Sequence, residues 1–336
     1  MAKQRSTFPL RASRAAWSAC GVRVQHTSYP GGKSRDSIRL HLGDGRTIIA
    51  TRRHDKERAD REVEVLKGLH RAGAPVPQIL AYDGDILLQQ DIGERRLSQA
   101  VFEAEPQAVA EILNRALESL AVLQHAGMSS QIVAQLPVLG GDAAWIKDVV
   151  ETPLRLARFF DLAEPVVDWT ALAEAITMHT PSFVKWDARL GNAAFAPDGR
   201  IYWFDFEHCG ARNALDDVGW MLGDEYLPDI PEIEERIFAD RLMEFRRAGD
   251  ARPPEVYLAN FGTLHIATRL AVMLSRHNEV GWVDANDAVA RDKIGACRHL
   301  AIAVAHRAAR WARRSSHLAA AAPAFEAMAD AIDAMP

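Results

Sequence analysis

The 336-residue chain has little cysteine: Cys20, Cys209 and Cys297 are all there is. Three scattered thiols exclude a disulfide framework and a thiolate zinc site, and they suit a reducing compartment. Long apolar runs are missing as well. Nowhere do about 18 uncharged apolar residues follow one another, so no membrane-spanning helix is predicted. Lys3, Arg5, Arg11 and Arg14 lead into no apolar stretch of signal-peptide length, and the expected location is the cytoplasm. Nor is there an excess of positive charge. Lys and Arg number 40 against 45 Asp and Glu, a net of -5 with a pI near 6.2. Binding to nucleic acid through phosphate neutralisation is therefore not expected. Internal repeats and low-complexity linkers are lacking too.

With 48% hydrophobic and 25% charged residues, the chain has the composition of a soluble globular protein of one large or two modest domains. The charge is uneven. Residues 1–80 carry 16 Lys and Arg against 7 Asp and Glu, whereas the remainder carries 24 against 38. An anion near the first segment and a cation near the second would suit that division.

From Val22 the pattern has period two: Ile38, Leu40 and Leu42 alternate with Arg39 and His41, and Asp44-Gly45 precedes a second run to Arg52. Alternation broken by Asp-Gly predicts antiparallel strands joined by a hairpin. A helix is predicted from about Lys56 to Ala72, with Val63, Leu66 and Leu69 on one face, and Gly73, Pro75 and Pro77 end it. Ile79–Tyr82 and Ile86–Gln90 complete a five-stranded sheet. Beyond Gly93 the reading is helical. Pro106 opens a buried helix carrying Val109, Ile112, Leu113, Ala116, Leu117, Leu120 and Leu123, and further helices are predicted over 142–160, 169–178, 231–248, 255–276, 284–314 and after 316. One hairpin, 192–204, interrupts them.

Polar residues converge on that hairpin. Residues at the open end of an antiparallel pair lie roughly 5 Å apart at Cα, and Asn192 and Asp205 take those places. An amide oxygen and a carboxylate so placed suit one hard cation such as Mg²⁺, completed by water and phosphate oxygens. Asp187, on a loop with Lys185, Arg189 and Gly191, is a carboxylate suited to take a proton from an attacking hydroxyl.

The spacing Asp187, four residues, Asn192, twelve residues, Asp205 resembles the aminoglycoside phosphotransferase and choline kinase family, whose fold is similar to that of protein kinases. The family's His-Gly-Asp is matched here by Lys185-Trp186-Asp187, a departure at two positions. The resemblance implies an α+β, protein-kinase-like two-lobed fold. Residues 1–92 would form the nucleotide-binding lobe and 93–336 the helical lobe with catalytic loop and acceptor site. It further implies Asp187 as base, with Lys185 and Arg189 beside it, and Asn192 and Asp205 as Mg²⁺ ligands. Asp217 would brace the catalytic loop. Pro30-Gly31-Gly32-Lys33-Ser34 resembles the family's phosphate loop, with Gly31, Gly32 and Ser34 against ATP. Gly32-Lys33-Ser34 does not complete a Walker A motif, because Thr27 occupies the first glycine position and a strand follows. Arg52 is read as the third-strand cation paired with Glu62, with Arg53 as its rival, since adjacent strand residues point to opposite faces. Gln89 and Asp91 fall at the interlobe hinge. His125 is read as a packed histidine.

The implied activity is ATP- and Mg²⁺-dependent transfer of the γ-phosphate to a hydroxyl of a small molecule, by a monomer or homodimer. The alternatives are a regulatory nucleotide-binding pseudokinase, a binding scaffold without chemistry and, less in keeping with the motifs, a protein kinase. The acidic remainder, with Glu207, Asp224 and Glu225 flanking Trp220, predicts a cationic acceptor.

Overall fold

Alternation in the first ninety residues is realised as one antiparallel sheet of β1 (Val24–Ser28), β2 (Ser37–Leu42), β3 (Thr47–Arg52), β4 (Ile79–Asp83) and β5 (Ile86–Gln90), in the order β1-β2-β3-β5-β4. The computed structural model describes residues 2–32, 35–178, 180–250 and 252–336, the side chains of 2–6 aside. Ser34, expected in the phosphate loop, lies outside the described residues.

One face of the sheet is covered by an element the sequence reading omits. Helix α1 (Ala2–Cys20) lays Phe8, Ala12 and Ala16 over Ile38, Leu40, Leu42, Ile48, Ala50, Ile86 and Leu88, all buried. Their spacing of four residues is the signal of a narrow apolar stripe. The other face of the sheet looks into the molecule. Helix α2 (Lys56–Arg71) follows β3, and the Asp55 side chain caps it by accepting from the Arg58 N–H.

The remainder is mainly helical. Helices α3 (Leu97–Phe102) and α4 (Pro106–Ser129) come first, with Pro106 in the opening turn of α4. The predicted helix 142–160 is divided into α5 (Ala143–Val150) and α6 (Thr152–Phe159), because Pro153 cannot continue the preceding turn. Then come α7 (Trp169–Ile176), β6 (Ser182–Val184), β7 (Ala193–Phe195), β8 (Ile201–Trp203), β9 (Gly210–Arg212) and α8 (Leu215–Leu222). Next are α9 (Pro231–Asp240), shorter than predicted, and the long α10 (Pro254–Val280).

The predicted helix 284–314 is also broken. It forms α11 (Ala285–Ala290) and α12 (Arg298–Arg314), separated by a segment in which Asp292 takes a left-handed φ of 48°. Helix α13 (Ala322–Asp333) packs on α12. The fold is thus a two-lobed α+β arrangement, with a five-stranded sheet lobe against a mainly helical lobe. Among the described residues no helix is long and apolar enough to cross a membrane.

Candidate active site

Strand parity decides which third-strand arginine faces inward. Ile48 and Ala50 pack under α1, so Arg52, of the same parity, also lies on that side; its guanidinium stacks over Phe8 and pairs with Asp36. Ile49, Thr51 and Arg53 face the interior instead. The expected Arg52–Glu62 pair is therefore replaced by Arg53–Glu62. Arg53 Nε and Nη2 donate to the two Glu62 carboxylate oxygens at 2.7 Å each, a bidentate fork. Arg53 Nη2 also donates to Asp205 Oδ1 at 2.7 Å. Glu62 is wholly buried and additionally accepts the Phe206 N–H. Burial pushes the Glu62 carboxyl above its ordinary range, and Arg53 offsets only part of that. At Asp205 burial acts in the same direction, but Arg53 and Lys185 outweigh it and the carboxyl is held below its usual value.

The loop from Lys185 to Asn192 is held from beneath. Asp217, fully buried at the start of α8, accepts the backbone N–H groups of Lys185 at 2.8 Å and Trp186 at 2.9 Å, and an N–H of the Gln124 side chain at 3.1 Å. This is the bracing role that the resemblance implies for Asp217. Its partner on α4 is Gln124; His125 is exposed and not packed as expected. A polar residue four beyond Leu120 on an otherwise apolar stripe was the available signal for Gln124.

Two consecutive residues of the loop, Trp186 and Asp187, take left-handed φ values of 51° and 65°. Such backbone persists only where its surroundings hold it. Lys185 supplies part of that hold. Its ammonium is fully buried and donates to the carbonyl oxygens of Asp187 at 3.0 Å and Asp205 at 2.9 Å, against the Phe206 ring. This corrects its expected place beside the reacting atoms: Lys185 touches backbone, and it fixes the two segments that carry the carboxylates. Burial pushes its pKa down.

Asn192 Nδ2 donates to the Asp187 carbonyl and to its carboxylate at 2.8 Å, and Arg189 Nε donates to the other carboxylate oxygen at 3.1 Å. Asp187 is thus oriented from both sides. The hairpin register places Asn192 against Phe204 rather than Asp205, the Phe204 N–H bonding to the Asn192 carbonyl, and a left-handed φ of 64° at Asp205 then turns that residue back into the cleft.

Two cavities flank this loop. The first, about 400 Å³ between the lobes, is lined by Gly31, Gln89, Asp91, Arg53, Asn192 and Asp205 among others. Gly32 holds a φ of 88°, which favours glycine there. Gln89 is buried, and its Oε1 has no hydrogen-bond partner among the described residues. Asp91 is held by Arg39, Nε to Oδ2 at 2.5 Å. Asn192 and the one-third-exposed Asp205 both line this cavity, and an amide oxygen with a carboxylate is a donor set that fits a cation such as Mg²⁺.

The second cavity, about 420 Å³, is lined by Trp186, Asp187, Arg189, His208, Trp220, Arg269, Asp292, Lys293 and Ile294. Of the residues expected at an acceptor site, Trp220 lines this cavity. The expected acidic groups do not. Asp224 is buried and accepts the N–H groups of Leu190 and Tyr226. Glu225 is buried in a bidentate pair with Arg269, at 2.6 Å from Nε. Glu207 turns toward Arg53 and His208 and lines neither cavity. Asp224 and Glu225 satisfy buried donors, so the acidic run gives no support to a cationic acceptor. The sequence reading also misses Arg35, Arg39, Arg96 and Asp292, which line the first cavity.

Residues 26–255 match the family described as the phosphotransferase enzyme family. Among solved structures, the chain is similar to choline kinase LicA from Streptococcus pneumoniae at 11% identity, covering 88% of this chain and 98% of that one, with a TM-score of 0.52. Amicoumacin kinase hAmiN, solved with AMP-PNP, Ca²⁺ and Ami, is similar at 12% identity, 88% and 95% coverage, and a TM-score of 0.54. A choline/ethanolamine kinase family protein from Mesorhizobium loti is similar at 15% identity, 97% and 100% coverage, and 0.51. At these identities the likeness establishes the fold. No curated protein sequence matches.

Asp217 gives this site a measurable signature. Burial pushes its pKa from 3.8 up to about 6, the three hydrogen bonds offsetting only part of that. The folded chain therefore holds this proton more tightly than the unfolded one, and the contribution to stability is full below about pH 4 and declines as pH rises through about 6. Asp217→Asn removes the titration and also leaves a buried backbone donor without an acceptor, destabilising by about 1–3 kcal/mol. Urea unfolding of both forms from pH 4 to 7 should show the wild-type advantage shrinking with rising pH, by about 3 kcal/mol at most. A constant difference contradicts the assignment.

Proposed function

We propose that this chain, which belongs to the phosphotransferase enzyme family, transfers the γ-phosphate of ATP to a hydroxyl of a small molecule. Residues 1–92 serve as the nucleotide-binding lobe and 93–336 as the lobe carrying the catalytic loop and acceptor. One observation carries the reading: the 185–192 loop separates two cavities, with Asn192 and Asp205 lining the first and Asp187 lining the second. Cation ligands on one side and a base on the other is the division that in-line phosphoryl transfer needs.

In this reading the adenine lies near Gln89 and Asp91, whose buried amide oxygen and backbone face the cavity. Gly31 and Gly32 bring backbone toward the phosphates. Arg53, fixed by Glu62, directs its charge to them. Asn192 Oδ1 and Asp205 would hold Mg²⁺, which when bound supplies neutralising charge for the phosphate oxygens. The acceptor's ring or apolar body rests on Trp186 and Trp220. Its hydroxyl oxygen attacks the γ-phosphorus as Asp187 takes the proton, and the bond to the bridging oxygen breaks to release ADP. The orientation of Asp187 toward the second cavity, held by Asn192 and Arg189, favours transfer over a regulatory nucleotide-binding role.

Measuring ADP release across a panel of amino alcohols, aminoglycosides, macrolides and sugars tests the reading. With the best acceptor, Asp187→Asn should lower kcat by about 10² or more while nucleotide KM stays near wild type, because proton removal belongs to the transition state. Unchanged kcat removes Asp187 from the mechanism. Arg53→Met should raise nucleotide KM about tenfold, the worth of one charge-assisted contact. Arg52→Met, on the α1 side of the sheet, should change it less than about twofold; the reverse order refutes the parity assignment.

A further inference from the structure

Three arginines from separate segments converge on one carboxylate at the boundary of the two cavities. Arg96, the residue before α3, places Nη1 2.5 Å from Asp292 Oδ2. Arg35, beyond the glycine turn, holds Nη2 at 3.6 Å from the same oxygen and also donates to the Asp292 carbonyl. Arg189, beside the base, lies 4.0 Å from Oδ1. Asp292 is only 8% exposed, yet among the described residues its Oδ1 has no hydrogen-bond donor. The approach is close. A Cβ on Gly191 would lie 2.3 Å from that oxygen, so a side chain at 191 would force the Asp292 carboxylate to shift.

Asp292 is the one described residue lining both cavities, so it occupies the path between a bound nucleotide and a hydroxyl beside Asp187. Arg189 also holds Asp187, so three guanidinium groups face two carboxylates, one of them with an orphaned oxygen, and one positive charge is left over. A terminal phosphate, with three acceptor oxygens and close to two negative charges, matches them better. A fixed carboxylate there would repel an incoming phosphoryl group. Asp292 belongs to the break between α11 and α12, whose left-handed backbone is set by local contacts and not by a continuous helix.

We propose that Arg35, Arg96 and Arg189 form a seat for the terminal phosphate of a nucleoside triphosphate, and that Asp292 is an internal anion competing with phosphate for it. The seat rests on the phosphotransferase reading for its role, but not for its test. Asp292 yields the arginines when polyphosphate enters, so it weakens the binding of phosphate anions in general. The three arginines lie within residues 26–255, the part that matches the family, whereas Asp292 comes from this chain's later segment.

Calorimetric titration of the full chain with inorganic tripolyphosphate, at fixed salt and without metal, reads the competition directly. Asp292→Asn should bind tripolyphosphate about tenfold tighter, the equivalent of releasing one charge-assisted hydrogen bond. Arg96→Gln should bind it about tenfold more weakly, and the double variant should lose the gain. Asp292→Ala serves as the second variant, and circular dichroism with thermal melting verifies folding. Unchanged or weaker binding in both folded Asp292 variants overturns the proposal, since a carboxylate that merely orients the arginines would weaken binding when removed. Wild-type turnover without the tightening sinks the seat and leaves the phosphotransferase reading standing. Tightening without turnover on any acceptor supports the seat and counts against that reading.

Discussion

The chain Glu62–Arg53–Asp205 ties the sheet lobe to the helical lobe, and the rest of the cleft is arranged around it. Glu62 comes from α2, Arg53 from the end of β3 and Asp205 from the end of the β7–β8 hairpin, so one guanidinium fixes three elements at once. Glu62 is wholly buried, so loss of Arg53 would leave an uncompensated charge in the interior, a far larger penalty than loss of a surface pair. From Asp205 the order passes through its carbonyl to the Lys185 ammonium and on to the Asp187 backbone. Asp217 then holds the start of the same loop from below. The strained backbone positions at 186, 187 and 205 sit on this framework.

Charge is distributed with the same economy. The basic first segment places Arg35, Arg39 and Arg53 in the interlobe cavity, where they stand among Asp91, Glu94, Asp205 and Asp292. The acidic remainder is largely turned inward. Asp217, Asp224 and Glu225 serve backbone donors and Arg269, so net charge alone carries no argument about the acceptor. What is left at the second cavity is a mixed set, Arg189, Arg269 and Lys293 against Asp187 and Asp292, with Trp186 and Trp220 as its flat walls.

Much of this was legible in the sequence, and the misses have physical causes. The five strands announce themselves through alternation and Asp-Gly turns, and the spacing of Asp187, Asn192 and Asp205 marks the loop and hairpin. Arg52 was chosen over Arg53 because alternation states that two neighbours face apart but not which face is inner; the answer depends on α1, whose stripe of Phe8, Ala12 and Ala16 is too sparse to stand out among charges. Lys185 reads as an active-site cation until its burial is known, since only tertiary structure shows that it ends on carbonyl oxygens. Asp292 was hidden within a segment of helical periodicity, and nothing local in residues 284–314 signals that the chain leaves the helix there to meet three distant arginines.

On the proposed reading, Asn192 and Asp205 make the interlobe cavity a metal-dependent nucleotide site. Calorimetric titration of ATP, with and without Mg²⁺, into wild type and Asp205→Ala tests it most directly. Wild type should gain about tenfold or more in affinity from Mg²⁺, and the gain should vanish in Asp205→Ala, where only the Asn192 amide oxygen remains. An equal Mg²⁺-dependent gain in Asp205→Ala, or none in wild type, would contradict the account.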